Sequence, residues 1–154
     1  MLSVPVRGDG SIDGGEVKIV RGIGARLKIN NEAIYATRPW QTFGEGPAAH
    51  DFVKGQFDGE RDTHDQRFTP ADIRYTQSKD GKTLYAFVLA YPPDGQATIK
   101  SLTENSDLWP GKIGRVRILG VRGILKFSRD ETGLHVPLPV EKPGDFAFAL
   151  KIDR

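Results

Sequence analysis

Apolar residues near the N-terminus recur at helical intervals. Val17, Val20, Ile23 and Leu27 fall on one face, and Ile19 and Ile29 widen that stripe. Gly8, Gly10, Gly14 and Gly15 make the approach a loop. Asp13 is placed to cap the helix, with Glu16 three residues later at capping-box spacing. Lys18, Arg21, Arg26 and Lys28 occupy polar positions, and the last two suit the negative end of the helix dipole. Asn30-Asn31 ends the helix, because Asn tolerates the left-handed conformation that many helix ends adopt.

Downstream the period shortens to two. A strand is predicted over 72–76, then a hairpin turn on Asp80-Gly81. Residues 83–91 form an almost unbroken apolar run before Pro92-Pro93, as expected of a central strand buried on both faces. Further strands are predicted at 97–102, 112–119, 125–128, 134–138 and 146–152. In the second of these, Val116 and Ile118 oppose Arg115 and Arg117; in the last, Phe146, Phe148, Leu150 and Ile152 oppose Ala147, Ala149 and Lys151. A polar turn over 129–133 separates 125–128 from 134–138, where Leu134, Val136 and Leu138 oppose His135. Short strands with turns about every 8–12 residues predict a mainly β fold, an antiparallel β-sandwich with one N-terminal amphipathic helix. Phe87, Leu89, Val116, Ile118, Phe146, Phe148 and Leu150 are its expected core.

Composition narrows this picture only modestly. The 154 residues make one domain of ordinary size. A net charge of +2 with interspersed signs gives no reason to expect nucleic acid or an anionic membrane as partner. There is no cysteine, so disulfides and thiol chemistry are excluded while the compartment stays undecided. No apolar run approaches the roughly 20 residues of a membrane span. Residues 1–5 lack the charged-then-apolar layout of a secretory signal.

Candidate chemistry is sparse. His50, Asp51, Asp58, Glu60, Asp62, His64 and Asp65 cluster in a Gly- and Pro-rich stretch, but their spacing fits no metal motif, and a solvated loop pinned by Phe52 and Phe57 is the expectation. No metal or cofactor is therefore assigned. Asp9 and Asp13 do not read as a catalytic pair: one belongs to a Gly-Asp-Gly turn and the other to the helix cap. Arg7-Gly8-Asp9 is an integrin-type tripeptide of a kind that occurs often by chance. The basic run Lys112, Arg115, Arg117, Arg122 and Lys126 lacks interleaved aromatics, so an exposed sheet face explains it better than a nucleic-acid platform. Trp40, after Arg38-Pro39, reads as an anchor where helix meets sandwich. Trp109 has two open readings, burial in a loop or a surface ring for stacking on a sugar.

Several runs together resemble the α-L-fucosidase family of glycoside hydrolases. They are Pro5-Val6-Arg7-Gly8-Asp9-Gly10-Ser11-Ile12-Asp13, the helix, and Asn31-Glu32-Ala33-Ile34-Tyr35-Ala36-Thr37-Arg38-Pro39-Trp40. Phe43-Gly44-Glu45-Gly46-Pro47, Phe68-Thr69-Pro70-Ala71-Asp72-Ile73-Arg74-Tyr75 and the run from Lys142 to Ile152 follow in the same order and spacing. Ser3, Val6, Asn31 and Ala36 depart from the family pattern, which usually has Asn, Pro, Gly and Gly there. The resemblance implies that residues 1–40 are the end of a TIM barrel with its last helix and connector, and that 41–154 are a C-terminal β-sandwich. It implies a full enzyme that hydrolyses α-L-fucosyl linkages with retention through a covalent fucosyl-enzyme intermediate. The family's nucleophilic Asp and acid/base carboxylate lie on earlier barrel strands, and a barrel alone takes roughly 250 residues. The chain on its own is thus expected to be structural or accessory and inactive, with no catalytic residue; the alternative is a carbohydrate-binding or protein-interaction module. Periodicity alone favours a helix that covers its own β domain. With barrel partners absent, the stripe either folds back in that way or, through Val20, Ile23 and Leu27, is expected to mediate self-association through residues 1–29 or docking onto a separate barrel chain. A glycan is a further candidate partner.

Overall fold

The computed structural model describes residues 4–48, 68–144 and 147–154. Asp13 caps helix α1 (Gly14–Ile29), its carboxylate accepting from the Gly15 N–H at 2.8 Å. The helix ends differently from expectation. Asn30 has φ −103°, and no described residue other than glycine has positive φ. Its backbone N–H and its side-chain amide both donate to the Arg26 carbonyl instead, at 2.9 and 3.1 Å. A 3₁₀ turn, Asn31–Ala33, follows.

Eight strands complete the order: β1 (Thr37–Glu45), β2 (Ile73–Ser78), β3 (Thr83–Val88), β4 (Gln96–Ile99), β5 (Arg115–Ile118), β6 (Ser128–Asp130), β7 (Gly133–Pro137) and β8 (Phe148–Asp153). A five-stranded sheet runs β1-β2-β3-β8-β5 and a three-stranded sheet runs β4-β7-β6, with every named pair antiparallel. Strand β1 falls where the sequence predicts only a connector, because Pro39 interrupts it. The strand lies at a sheet edge, where a missing N–H is tolerated, and its register shifts between Pro39 and Gly44. The sandwich therefore takes in residues from Thr37 onward, so β1 crosses the expected boundary at 40/41. The strand expected at 125–128 also moves. Leu125 makes only an isolated bridge to Val116, and β6 begins at Ser128, leaving Glu131-Thr132 as a two-residue turn between β6 and β7.

Both sheets feed one core. Ile73, Leu84, Val88, Val116, Phe148, Leu150 and Ile152 from the larger sheet meet Ala97, Ile99, Leu134 and Val136 from the smaller, all buried. On β3 the expected inward set is corrected. Leu84, Ala86 and Val88 face this core, while Phe87 packs on a second, smaller cluster with Ala33, Tyr85, Leu119 and Ala149. An unbroken apolar run carries no alternation, so its parity is fixed only by the partner strands. Leu89 lies beyond the end of β3 and is half-buried, and Phe146 lies outside the described residues.

Candidate functional site

The segment before the helix folds as a small hairpin. Val6 and Ile12 form a bridge, Arg7 N–H donates to the Ser11 carbonyl at 2.8 Å, and Gly10 turns the chain at φ +82°. Inside it the Asp9 carboxylate accepts from the Ser11 N–H and hydroxyl at 2.9 and 2.7 Å. Those bonds hold the Asp9 pKa below its usual value, the backbone donor first. Asp13 is lowered likewise, by Gly15 N–H and then by its ion pair with Arg7. Two carboxylates kept ionised and engaged in a turn and a cap have no proton to give, so this pair supplies no general acid.

Helix α1 carries the apolar stripe that periodicity predicts, yet none of its 16 residues is buried. Ile19, Val20, Ile23 and Ile29 are 57, 39, 36 and 36 % exposed, and Leu27 is half-buried. Among the described residues, α1 meets the sandwich through its last turns. Ile29 lies over Gly120, where an added Cβ would sit 2.8 Å from its Cγ2, and Arg26 donates to the Ala147 carbonyl. Glu32, in the 3₁₀ turn, pairs with Lys151 at 3.0 Å.

The two tryptophans are placed by packing. Trp40 sits on β1 within the sandwich core, edge-on to Tyr75 with centroids 4.8 Å apart. Its neighbour Arg38 points out from the edge strand and is exposed. Trp109 is 1 % exposed, and the Arg154 guanidinium covers its ring at 4.4 Å. The surface-ring reading of Trp109 is corrected accordingly: no face of this indole is open to a sugar. Its loop is tied down by Arg129, whose guanidinium donates to the carbonyls of Leu102, Thr103, Gly111 and Trp109 at 2.6–3.0 Å.

Three further polar groups organise the fold without signalling themselves in the sequence. The Glu45 carboxylate at the end of β1 accepts from the Lys100 and Ser101 N–H groups at 2.8 and 2.7 Å, from the Ser101 hydroxyl, and from Tyr75 OH at 2.8 Å. It ties the larger sheet to the chain leaving β4. Asp72 is buried and accepts from the N–H groups of Ala48 and Thr69 and from the Thr69 hydroxyl. His135 lies between Thr98, 3.2 Å from Nδ1, and Thr132 and Asp130, 2.9 and 3.1 Å from Nε2, a bridge across the smaller sheet. Both ring nitrogens are engaged in this bridge. His50 and His64 lie outside the described residues, among which no group of three or more His, Cys, Asp or Glu could hold a metal. Also among the described residues, no helix is long and apolar enough to cross a membrane.

Residues 65–153, more than half of the chain, match the family described as the alpha-L-fucosidase C-terminal domain. The chain belongs to this family. Among curated proteins it is 28 % identical over 135 residues to the human tissue alpha-L-fucosidase, and 27 % identical to that of Macaca fascicularis, covering 84 % of this chain and 22 % of each relative. The Thermotoga maritima alpha-fucosidase, solved with a mechanism-based inhibitor, covers the whole chain at TM-score 0.69 and 18 % identity, this chain answering to 30 % of its length. A GH29 alpha-L-fucosidase of Bacteroides thetaiotaomicron, trapped as a covalent intermediate, covers 98 % at TM-score 0.63 and 14 % identity, with 27 % of its length matched. The chain thus spans about a fifth of the length of its curated relatives. Within the fucosidase C-terminal domain the matched segment holds β2 to β8, whereas α1 and β1 precede it.

Proposed function

We propose that this chain is the C-terminal part of an α-L-fucosidase, a structural support for a barrel that hydrolyses α-L-fucosyl linkages, and that it has no hydrolytic activity by itself. The observation that carries this reading is helix α1: an apolar stripe held outside the sandwich core, with no buried residue, is a surface made to be covered. A barrel supplied by the rest of a longer polypeptide, or by a separate chain, covers it. Family membership and the likeness to several fucosidase structures, each matched over less than a third of its length, support the same assignment. Retaining hydrolysis needs a carboxylate nucleophile and an acid/base partner roughly 5–5.5 Å apart. Asp9 and Asp13 are occupied elsewhere, which leaves the pair to the barrel.

The test is an assay of the purified chain against an aryl α-L-fucoside. No turnover above background is expected. Turnover that survives re-purification and disappears in Asp9→Asn would overturn the proposal. With Trp109 enclosed, no observation favours the carbohydrate-binding alternative; calorimetric titration with L-fucose is expected to give no heat of binding.

A further inference from the structure

A cleft of about 270 Å³ opens on the outer face of the larger sheet, between the 3₁₀ turn after α1 and the loop that follows β5. Glu32, Arg117, Gly120, Arg122, Gly123 and Lys151 are among the residues that line it. Three of these are cations and one is an anion. The arrangement begins in strand register: Arg117 on β5 stands directly opposite Lys151 on β8. Like charges directly opposite are unfavourable, and strand pairs ordinarily avoid them.

The chain's own carboxylates offset this only in part. Asp153 takes one terminal nitrogen of Arg117 at 3.1 Å, but shares its charge with Arg115 at 3.8 Å. Glu32 takes Lys151. Arg117 Nε is buried with no hydrogen-bond partner among the described residues, and an orphaned donor on a guanidinium is costly. The Arg122 guanidinium stands exposed on the rim, with no carboxylate of the described residues paired to it. Gly120 and Gly123, at φ +86° and +107°, let the loop turn so that its backbone forms one wall. Gly120 also seats that wall on Ile29, so the cleft is held by the end of α1.

We propose that this cleft binds an oxyanion: a carboxylate, sulfate or phosphate on a small ligand, held between Arg117, Arg122 and Lys151. The Arg117 side chain is part-exposed and lines the cleft, so the proposed ligand engages its guanidinium once the buried Nε is turned toward the opening. The oxyanion then accepts from Nε, draws in the Arg122 fork, and separates the opposed Arg117 and Lys151 charges, which satisfies together three features that the chain leaves open. The proposal does not rest on fucoside hydrolysis.

The test is calorimetric titration of the full chain at constant low ionic strength with inorganic phosphate, inorganic sulfate and N-acetylneuraminate, with L-fucose as the uncharged control. Millimolar or tighter binding of at least one anion is expected, weakened about tenfold or more in Arg122→Ala and in Arg117→Gln, as befits lost charge-assisted bonds. Binding of phosphate or sulfate alone identifies a free inorganic oxyanion; binding of N-acetylneuraminate alone identifies a sugar acid. Arg122 lies on an exposed loop, so its variant keeps the test valid if Arg117→Gln does not fold. No heat with any of the three anions, or affinities unchanged in Arg122→Ala, overturns the proposal.

Discussion

Phe148 lies between the two sheets, 1 % exposed, with its ring 4.7 Å from that of Tyr91. Its truncation removes both the transfer energy of the ring and the contacts around it. Phe148→Ala is expected to cost about 3–5 kcal/mol in urea unfolding. Polar groups matter at this scale too. For Asp72, burial pushes the pKa up, but the N–H groups of Thr69 and Ala48, the Thr69 hydroxyl and the charge of Arg74 together bring it below the usual value. Asp130 is held at about 2 by the Thr132 hydroxyl and N–H and then by His135. A carboxyl lowered in the folded state stabilises above its unfolded pKa of about 3.9 and loses that contribution as pH falls through the folded value. The urea midpoint is therefore expected to be flat down to about pH 5 and then to fall with acid. In Asp72→Asn the fall should be shallower, and stability at neutral pH should drop by about 1–3 kcal/mol, because an amide donates toward N–H groups that need an acceptor.

Elements differ in how far their own residues specify them. Helix α1 is legible because apolar spacing and the Asp13 cap are local signals, and β7 and β8 because large apolar residues alternate there with small or polar ones. Strand β1 is not, since Pro39 argues against a strand until its place at the sheet edge is known. The parity of β3 is not, since Leu84, Tyr85, Ala86, Phe87 and Val88 are apolar on both faces. The cleft is hidden for a similar reason: Arg117 and Lys151 are 34 positions apart, and only register makes them neighbours. Glu45 and Arg129 are likewise defined by distant carbonyls and N–H groups. Helix α1 shows the reverse case, a clear local signal with no residue buried. Gly22 and Gly24 lie inside it, and a Cβ at either meets nothing within 4 Å. Each glycine costs roughly 1 kcal/mol relative to alanine in a helix interior. Gly22→Ala with Gly24→Ala is therefore expected to raise the helical circular dichroism signal and slow amide exchange in α1. Exchange in β3 and β8 should stay unchanged; no gain in α1 would mean that its helix is already held by a partner.

For the whole molecule the question is what covers α1 when the chain is alone. Fold-back onto the sandwich leaves no residue of α1 buried, and Ile19, Val20, Ile23 and Ile29 stay 36–57 % exposed. A two-fold pairing of copies is the commonest way for identical chains to bury such a face. Ile19, Val20, Ile23 and Ile29 are each about a third to a half exposed or slightly more. Full burial of such a side chain is worth about 1.5–3 kcal/mol, so each has roughly 1 kcal/mol left to gain, or about 8 kcal/mol over two copies. Association costs about 4–15 kcal/mol in lost translational and rotational freedom. Half-buried Val17 and Leu27 add about 2 kcal/mol over two copies. Only against the low end of that cost does the total leave a surplus, of about 6 kcal/mol. This corresponds to a dissociation constant of tens to hundreds of micromolar and makes the pair weak and strongly dependent on concentration. Light scattering of the isolated chain is expected to show monomer at low micromolar and a growing dimer fraction at high micromolar concentration. Ile23→Asp places a charge at the centre of the stripe and should leave only monomer, with the β signal in circular dichroism unchanged. A wild-type chain that stays monomeric at high micromolar concentration would rule out the pairing and leave the barrel as the cover for α1.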